Sequence, residues 1–219
     1  PTELPEDAEQ PLRELWETHE RLTMRNLIES FHDAQQALDE AINLFSLGYL
    51  SLENRGLAEK LFWTICRRIQ RMAATLDYLP EELERLETLL ADTYFCNFSI
   101  FQSMPDTWAI KQLFPIIPVH RLLERAQNRG ILGDISCDSD GKIDRFIDRR
   151  DEKKTLPLHP FVPGQPYIMA AFLVGAYQEI LGDLHNLFGD TNAVHVTLDD
   201  DNEPVVEEVV AGDTVREVL

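Results

Sequence analysis

The stretch ISCDSDGKID, residues 135–144, sets a single thiol, Cys137, among three aspartates and a glycine. Residues of these types could bind calcium, attack a carbonyl, donate a proton or form an ordinary acidic turn. A calcium loop aligned on Gly141 puts Asp138 and Asp140 at ligand positions three and five. Position one is then Ser136, and position twelve is Ile147 where a bidentate glutamate is needed, so the pattern argues against calcium. A nucleophilic cysteine needs a thiolate, which neighbouring cations favour, and Asp138 and Asp140 oppose it. A neutral thiol beside a carboxylate suits proton donation to a carbanion, or cation binding by Asp138, better than attack on a carbonyl. An acidic hairpin around a buried cysteine fits the same residues.

Other candidates are sparser. Tyr177, in VGAYQE, follows Gly175 and Ala176, which would let a ligand approach the backbone and leave the phenol as a hydrogen-bond donor. A tyrosine in such a position is more often one at the rim of a barrel. His185, between Asp183 and Asp190, matches no metal-ligand spacing and suits a structural role. The sequon NFS at 97–99 has no meaning in a reducing compartment. No phosphate-cradling loop, Ser/His/Asp order or paired-cysteine zinc pattern occurs.

The elements that must hold these residues fall into two kinds. Leu27, Phe31, Ala34, Leu38, Ile42 and Phe45 repeat at helical spacing, with Gly48 as the stop. Ser51 reads as the N-cap of a helix striped by Leu57, Leu61, Ile65, Ile69, Met72 and Leu76. Pro80, Glu81 and Glu82 open another, striped by Leu83, Leu86 and Leu90, and a shorter helix covers 11–22. Four amphipathic helices with short connections predict a bundle over 1–92.

Beyond Asp92 the helical period gives way to aromatic and β-branched residues broken by prolines. Strands are expected at 94–102, 113–119, 131–137, 143–148, 167–174, 193–198 and 204–210, with turns at NRG (128–130) and DSDG (138–141) and one short helix within 175–189. The fold class is α+β: a four-helix bundle, then a mostly antiparallel β-barrel or sandwich domain over 93–219.

The 219 residues carry 39 acidic and 20 basic side chains, a net charge of −19. Such a chain repels nucleic acid and anionic membranes and attracts cations, so a basic substrate is the natural ligand. Three scattered cysteines suit a reducing, cytoplasmic setting. The longest apolar run, 168–177, is about half a membrane span. No leader pattern is visible, and a start at Pro1 suits a piece of a longer protein.

Several stretches together resemble the biosynthetic arginine decarboxylase family: NFSIFQSMPDTWAIKQLFP (97–115), DISCDSDGKID (134–144), LPLHP (156–160), FLVGAYQEILGDLHNLFGDTNAVHV (172–196) and GDTV (212–215). The helical SLENRGLAEKLFWTICRRIQ also fits. The resemblance implies a pyridoxal-phosphate enzyme of the alanine-racemase-like class. In it a (β/α)8 barrel holds the Schiff-base lysine, a helical bundle is inserted, and a β domain follows. No lysine here matches the Schiff-base motif, so the barrel is missing from this chain, which should be inactive alone. The resemblance further implies that Cys137 reprotonates the carbon that lost carbon dioxide, and that Asp138 binds the guanidinium of L-arginine. Both would reach across a homodimer or higher homo-oligomer, while Tyr177 hydrogen-bonds the cofactor phosphate. It implies agmatine as the product, polyamine (spermidine) biosynthesis as the setting, and a magnesium requirement. A non-catalytic assembly or regulatory module remains an alternative reading, as does a decarboxylase of ornithine, lysine or diaminopimelate.

Overall fold

The computed structural model describes residues 4–5, 7–76, 80–149, 151–182 and 187–219; His185 lies outside them. The chain divides into two compact units, Pro1–Leu90 and Ala91–Leu219.

The first unit is built from α1 (Gln10–Arg21), α2 (Leu27–Ser46), α3 (Leu52–Ala73) and α4 (Glu81–Leu89). The helix boundaries follow from local chemistry. Ser51 accepts the Asn54 amide at 3.1 Å, capping α3. At the end of α2, Gly48 takes φ +81°, and the amides of Gly48 and Tyr49 return to the carbonyls of Phe45 and Leu44. This is a Schellman stop that only glycine adopts cheaply. Arg68 of α3 donates to the carbonyls of His19 and Leu22, satisfying the open end of α1.

The expected stripe of α2 is rotated. Leu27, Phe31 and Ala34 are buried as expected, but Ala37 and Ala41 complete the face, while Leu38, Ile42 and Phe45 are only partly covered. Both α1 and α3 pack against α2, and alanines at the centre of that face let two neighbours approach. In α3 the expected Leu61, Ile65 and Ile69 are indeed central, joined by Phe62 and the buried Cys66.

The second unit runs β1 (Asp92–Phe95), α5 (Ile100–Ser103), α6 (Pro105–Ala109), β2 (Ile116–Pro118), β3 (Asn128–Gly133), β4 (Lys142–Ile143), β5 (Phe146–Ile147), β6 (Glu152–Lys153), β7 (Leu156–Leu158), β8 (Met169–Ala171), α7 (Ala176–Leu181), β9 (Ala193–Leu198), β10 (Pro204–Val210) and α8 (Val215–Val218). Strand β3 is the hub. It pairs parallel with β1 on one side, while β7 and β4 pair antiparallel with its first and second halves. Ile100, Met104, Phe114, Ile116, Leu132, Ile143, Phe146, Leu156 and Leu158 form the core.

The remaining strands pair in twos: β2 with β8, β5 with β6, β9 with β10. A strand-rich unit is present as the sequence predicts, but among the described residues the strands close no barrel. Several local expectations fail, among them the strand expected at 131–137, which ends at Gly133. The predicted strand 94–102 ends at Phe95 and becomes α5, because Ser99 caps a helical turn by accepting the Gln102 amide. The predicted turn at 128–130 lies inside β3, where a Cβ on Gly130 would crowd Leu158 and Tyr94, so that glycine serves close packing rather than a bend.

The β9–β10 hairpin has one apolar face, Val194, Val196, Leu198, Val206 and Val209, all more than half exposed. Its other face pairs His195 with Glu208 and Thr197 with Glu207. Among the described residues, no helix is long and apolar enough to cross a membrane.

Truncating Ile65, which is fully buried, to alanine should cost about 2–5 kcal/mol, read as a lowered urea midpoint of the helical circular-dichroism signal. Burial pushes the Cys66 thiol from 9.0 up to about 12. The folded chain therefore keeps a proton that the unfolded chain releases above pH 9, so stability is intact below that value and falls as pH rises toward 12. The melting temperature of the wild type should drop more steeply between pH 8 and about pH 10.5 than that of Cys66→Ala, which lacks the thiol.

Candidate functional site

The turn that carries Cys137 and Asp138 begins where β3 ends. Its base is closed by the Asp134 amide on the Gly141 carbonyl at 2.8 Å, and the Ile135 amide is held by the Phe98 carbonyl at 3.1 Å. The tip is shaped by Asp138 itself. One of its carboxylate oxygens, Oδ1, accepts the Asp140 amide at 2.8 Å, and its carbonyl accepts the Gly141 amide. The other carboxylate oxygen faces no described donor. Both Cys137 and Asp138 are exposed.

Beneath the tip lies Asp134, only 3% exposed. Its Oδ2 accepts the Ile100 amide at 3.0 Å, while Oδ1 accepts both the amide and the hydroxyl of Ser136 at 2.9 and 2.7 Å. Three donors satisfy a buried carboxylate that would otherwise be costly. Gly141 packs directly over it: a Cβ there would overlap the Asp134 carboxylate and the Ser136 hydroxyl. The glycine of DSDG is required for this approach, and not for a positive φ, which it does not adopt.

Tyr177 projects from α7 and is 77% exposed. The next residue, Gln178, is buried and anchors the helix: its Oε1 accepts the Asp106 amide at 3.0 Å, and its Nε2 donates to the Asp106 carboxylate at 2.6 Å. The end of α7 lies against α5, since a Cβ on Gly182 would overlap the Gln102 carbonyl. The Cys137 turn is tied through Asp134 to the start of α5, and Tyr177 is tied through Gln178 to the start of α6. Adjacent short helices therefore brace both, although no described hydrogen bond or ring contact joins Tyr177 to Cys137 or Asp138.

Sequence reasoning assigned no role to Asp134, Gln102, Asp106 or Gln178, although all lie in the stretches quoted above. Asp134 did carry a signal: Asp-x-Ser after an apolar strand is the pattern of an Asx turn. The glutamine–aspartate pair spans 72 residues and has no local signature. A cleft of about 300 Å³ beside the turn is lined by Trp108, Lys111, Asp140, Lys142, Asp144 and Arg145. Its charges are partly cancelled by the Lys142–Asp144 and Arg145–Glu152 pairs. Among the described residues no group of three or more histidine, cysteine or acidic side chains could hold a metal ion, so none is assigned to magnesium.

Known proteins show what the chain as a whole resembles. Residues 5–87 match the arginine decarboxylase helical bundle domain. Over nearly its whole length the chain resembles the biosynthetic arginine decarboxylases. It is 55% identical to that of Rhodopirellula baltica over 98% of this chain and 32% of the relative, and 56% identical to that of Gloeobacter violaceus over 95% and 33%. The crystal structure of biosynthetic arginine decarboxylase SpeA from Campylobacter jejuni superposes with a TM-score of 0.71 at 32% identity, covering 95% of this chain and 33% of that one. The chain thus spans about a third of the length of the relatives it matches.

The three thiols should react in order of access. Iodoacetamide near pH 8 is expected to modify exposed Cys137 first. Cys96, half-buried and with its thiol pushed up by burial, should follow, and Cys66 should react only on unfolding. Peptide mass spectrometry over a time course checks the order; early labelling of Cys66 would contradict the buried bundle core.

Proposed function

We propose that this chain is part of a pyridoxal-phosphate-dependent decarboxylase that converts L-arginine to agmatine and carbon dioxide in polyamine biosynthesis. In this reading residues 1–92 are an inserted bundle, and residues 93–219 contribute to an active site shared between subunits of a homodimer or larger homo-oligomer. The lysine-bearing barrel is supplied by the rest of the parent protein, and the chain by itself is inactive. The observation that carries the proposal is the exposed Cys137–Asp138 pair on a braced turn, in a chain whose relatives are named biosynthetic arginine decarboxylases.

The residues present fit such chemistry. Asp138 spends one carboxylate oxygen on its own turn, which fixes its orientation and leaves the other for a planar cation. A guanidinium meets that oxygen with a charge-assisted hydrogen bond. Cys137, next in the chain and accessible, holds a proton on Sγ that can be returned to the carbon from which carbon dioxide departs. Tyr177 offers an exposed phenol on an anchored helix, a fit for a phosphate oxygen of the cofactor. Pyridoxal phosphate, when bound, supplies the electron sink for loss of carbon dioxide. Fixing donor, carboxylate and phenol on braced elements limits the reorganisation that the reaction requires.

The full-length parent should release carbon dioxide from L-arginine in preference to ornithine or lysine. Cys137→Ala should lower kcat by about 10²-fold or more, and Asp138→Asn should raise KM for arginine by roughly 10- to 100-fold. Mixing Cys137→Ala subunits with subunits lacking the barrel lysine should restore activity. Turnover of ornithine alone, or no recovery in the mixture, would count against the substrate or the shared site respectively.

A further inference from the structure

We infer that Asp134 is a positioning residue for the proposed reaction: its buried carboxylate sets where Cys137 and Asp138 stand relative to the substrate. The inference rests on the reading of those two residues given above and adds to it a group that touches neither substrate nor cofactor.

Three observations converge on Asp134. The side chain is 3% exposed, yet all three of its described donors come from the turn itself and from the start of α5. Ser136 donates from the amide and the hydroxyl just before Cys137, and Ile100 donates from the first turn of α5. The Asp134 amide in turn closes the loop on Gly141, at the far end of the same turn. Gly141 leaves no space for a methyl above the carboxylate, so the far end of the turn packs directly on it.

The substitution Asp134→Asn keeps the size but not the pattern of hydrogen bonds. Both oxygens of Asp134 face donors, so the side-chain nitrogen of the substituted asparagine would meet an N–H or O–H in either orientation. The turn must then shift, and displacements of about 1 Å at reacting groups can lower rates by roughly 10²-fold. Because one turn carries both the proton donor and the guanidinium partner, the shift disturbs proton return and substrate binding together.

The test is steady-state kinetics of the full-length parent with Asp134→Asn, beside Cys137→Ala and Asp138→Asn, with folded protein quantified by melting temperature and gel filtration. Asp134→Asn should lower kcat and raise KM for arginine in the same variant, each by about tenfold. Cys137→Ala should change mainly kcat, and Asp138→Asn mainly KM. A fall in activity with unchanged KM, matched by a lost fraction of folded protein, would mark Asp134 as merely structural and overturn the inference; so would unchanged kinetics. If Asp134→Asn does not accumulate, Ser136→Ala removes one donor to the same carboxylate. It should reproduce the coupled change at about threefold once activity is scaled to the folded fraction, and unchanged kinetics there would equally overturn the inference. Should Cys137→Ala itself leave turnover intact, the reading of Cys137 fails, an outcome separate from normal kinetics in Asp134→Asn alone.

Discussion

A carboxylate kept out of water must find donors, and in this chain that requirement organises the second unit. Asp134 follows directly on the central strand β3, and its side chain reaches the start of α5 and the Ser136 backbone at once. This side chain, together with the Ile135 amide on the Phe98 carbonyl, fixes the strand, the turn and the first short helix to one another. The loop between Asp134 and Gly141 can be exposed at its tip because it is tied down at its base. Accessibility and order, which usually oppose each other in loops, are reconciled in this way.

The same economy recurs at Tyr177. Helix α7 has only six residues, too short to persist unaided. Its order derives from Gln178, whose amide is satisfied on both sides by Asp106, and from the fit of Gly182 against the Gln102 carbonyl. In both places the exposed residue with chemical potential neighbours a buried polar residue that holds it. The first unit works differently: its helices are set by apolar stripes and caps, and polar contacts such as those of half-buried Arg68 with the His19 and Leu22 carbonyls close helix ends.

How much could be read from the sequence depended on the range of the interactions involved. Caps and helical periods are local, so Ser51, Gly48 and the Leu61–Ile65–Ile69 stripe were legible, as were the strands β9 and β10, though not their pairing. The face of α2 was misjudged by part of a turn because its alanines matter only once two neighbouring helices are present. Residues 94–102 look like a strand in composition, yet Ser99 and the distant Asp134 both satisfy amides of a helical turn there. The Cys137–Asp138 pair was visible as chemistry, but its support was not. Asp134 lies within hydrogen-bonding reach of Ile100 across 34 positions, and Gln178 meets Asp106 across 72.

The β9–β10 ribbon combines an exposed valine-rich face with a loop of four acidic residues in five, Asp199 to Glu203. That loop is itself well built, with Asp199 accepting the amides of Asp201 and Glu203. Two ribbons stacking face to face with their tips together would bring eight negative charges into proximity, twice the four on each tip. Any stacking in that orientation must overcome this repulsion, which added salt screens.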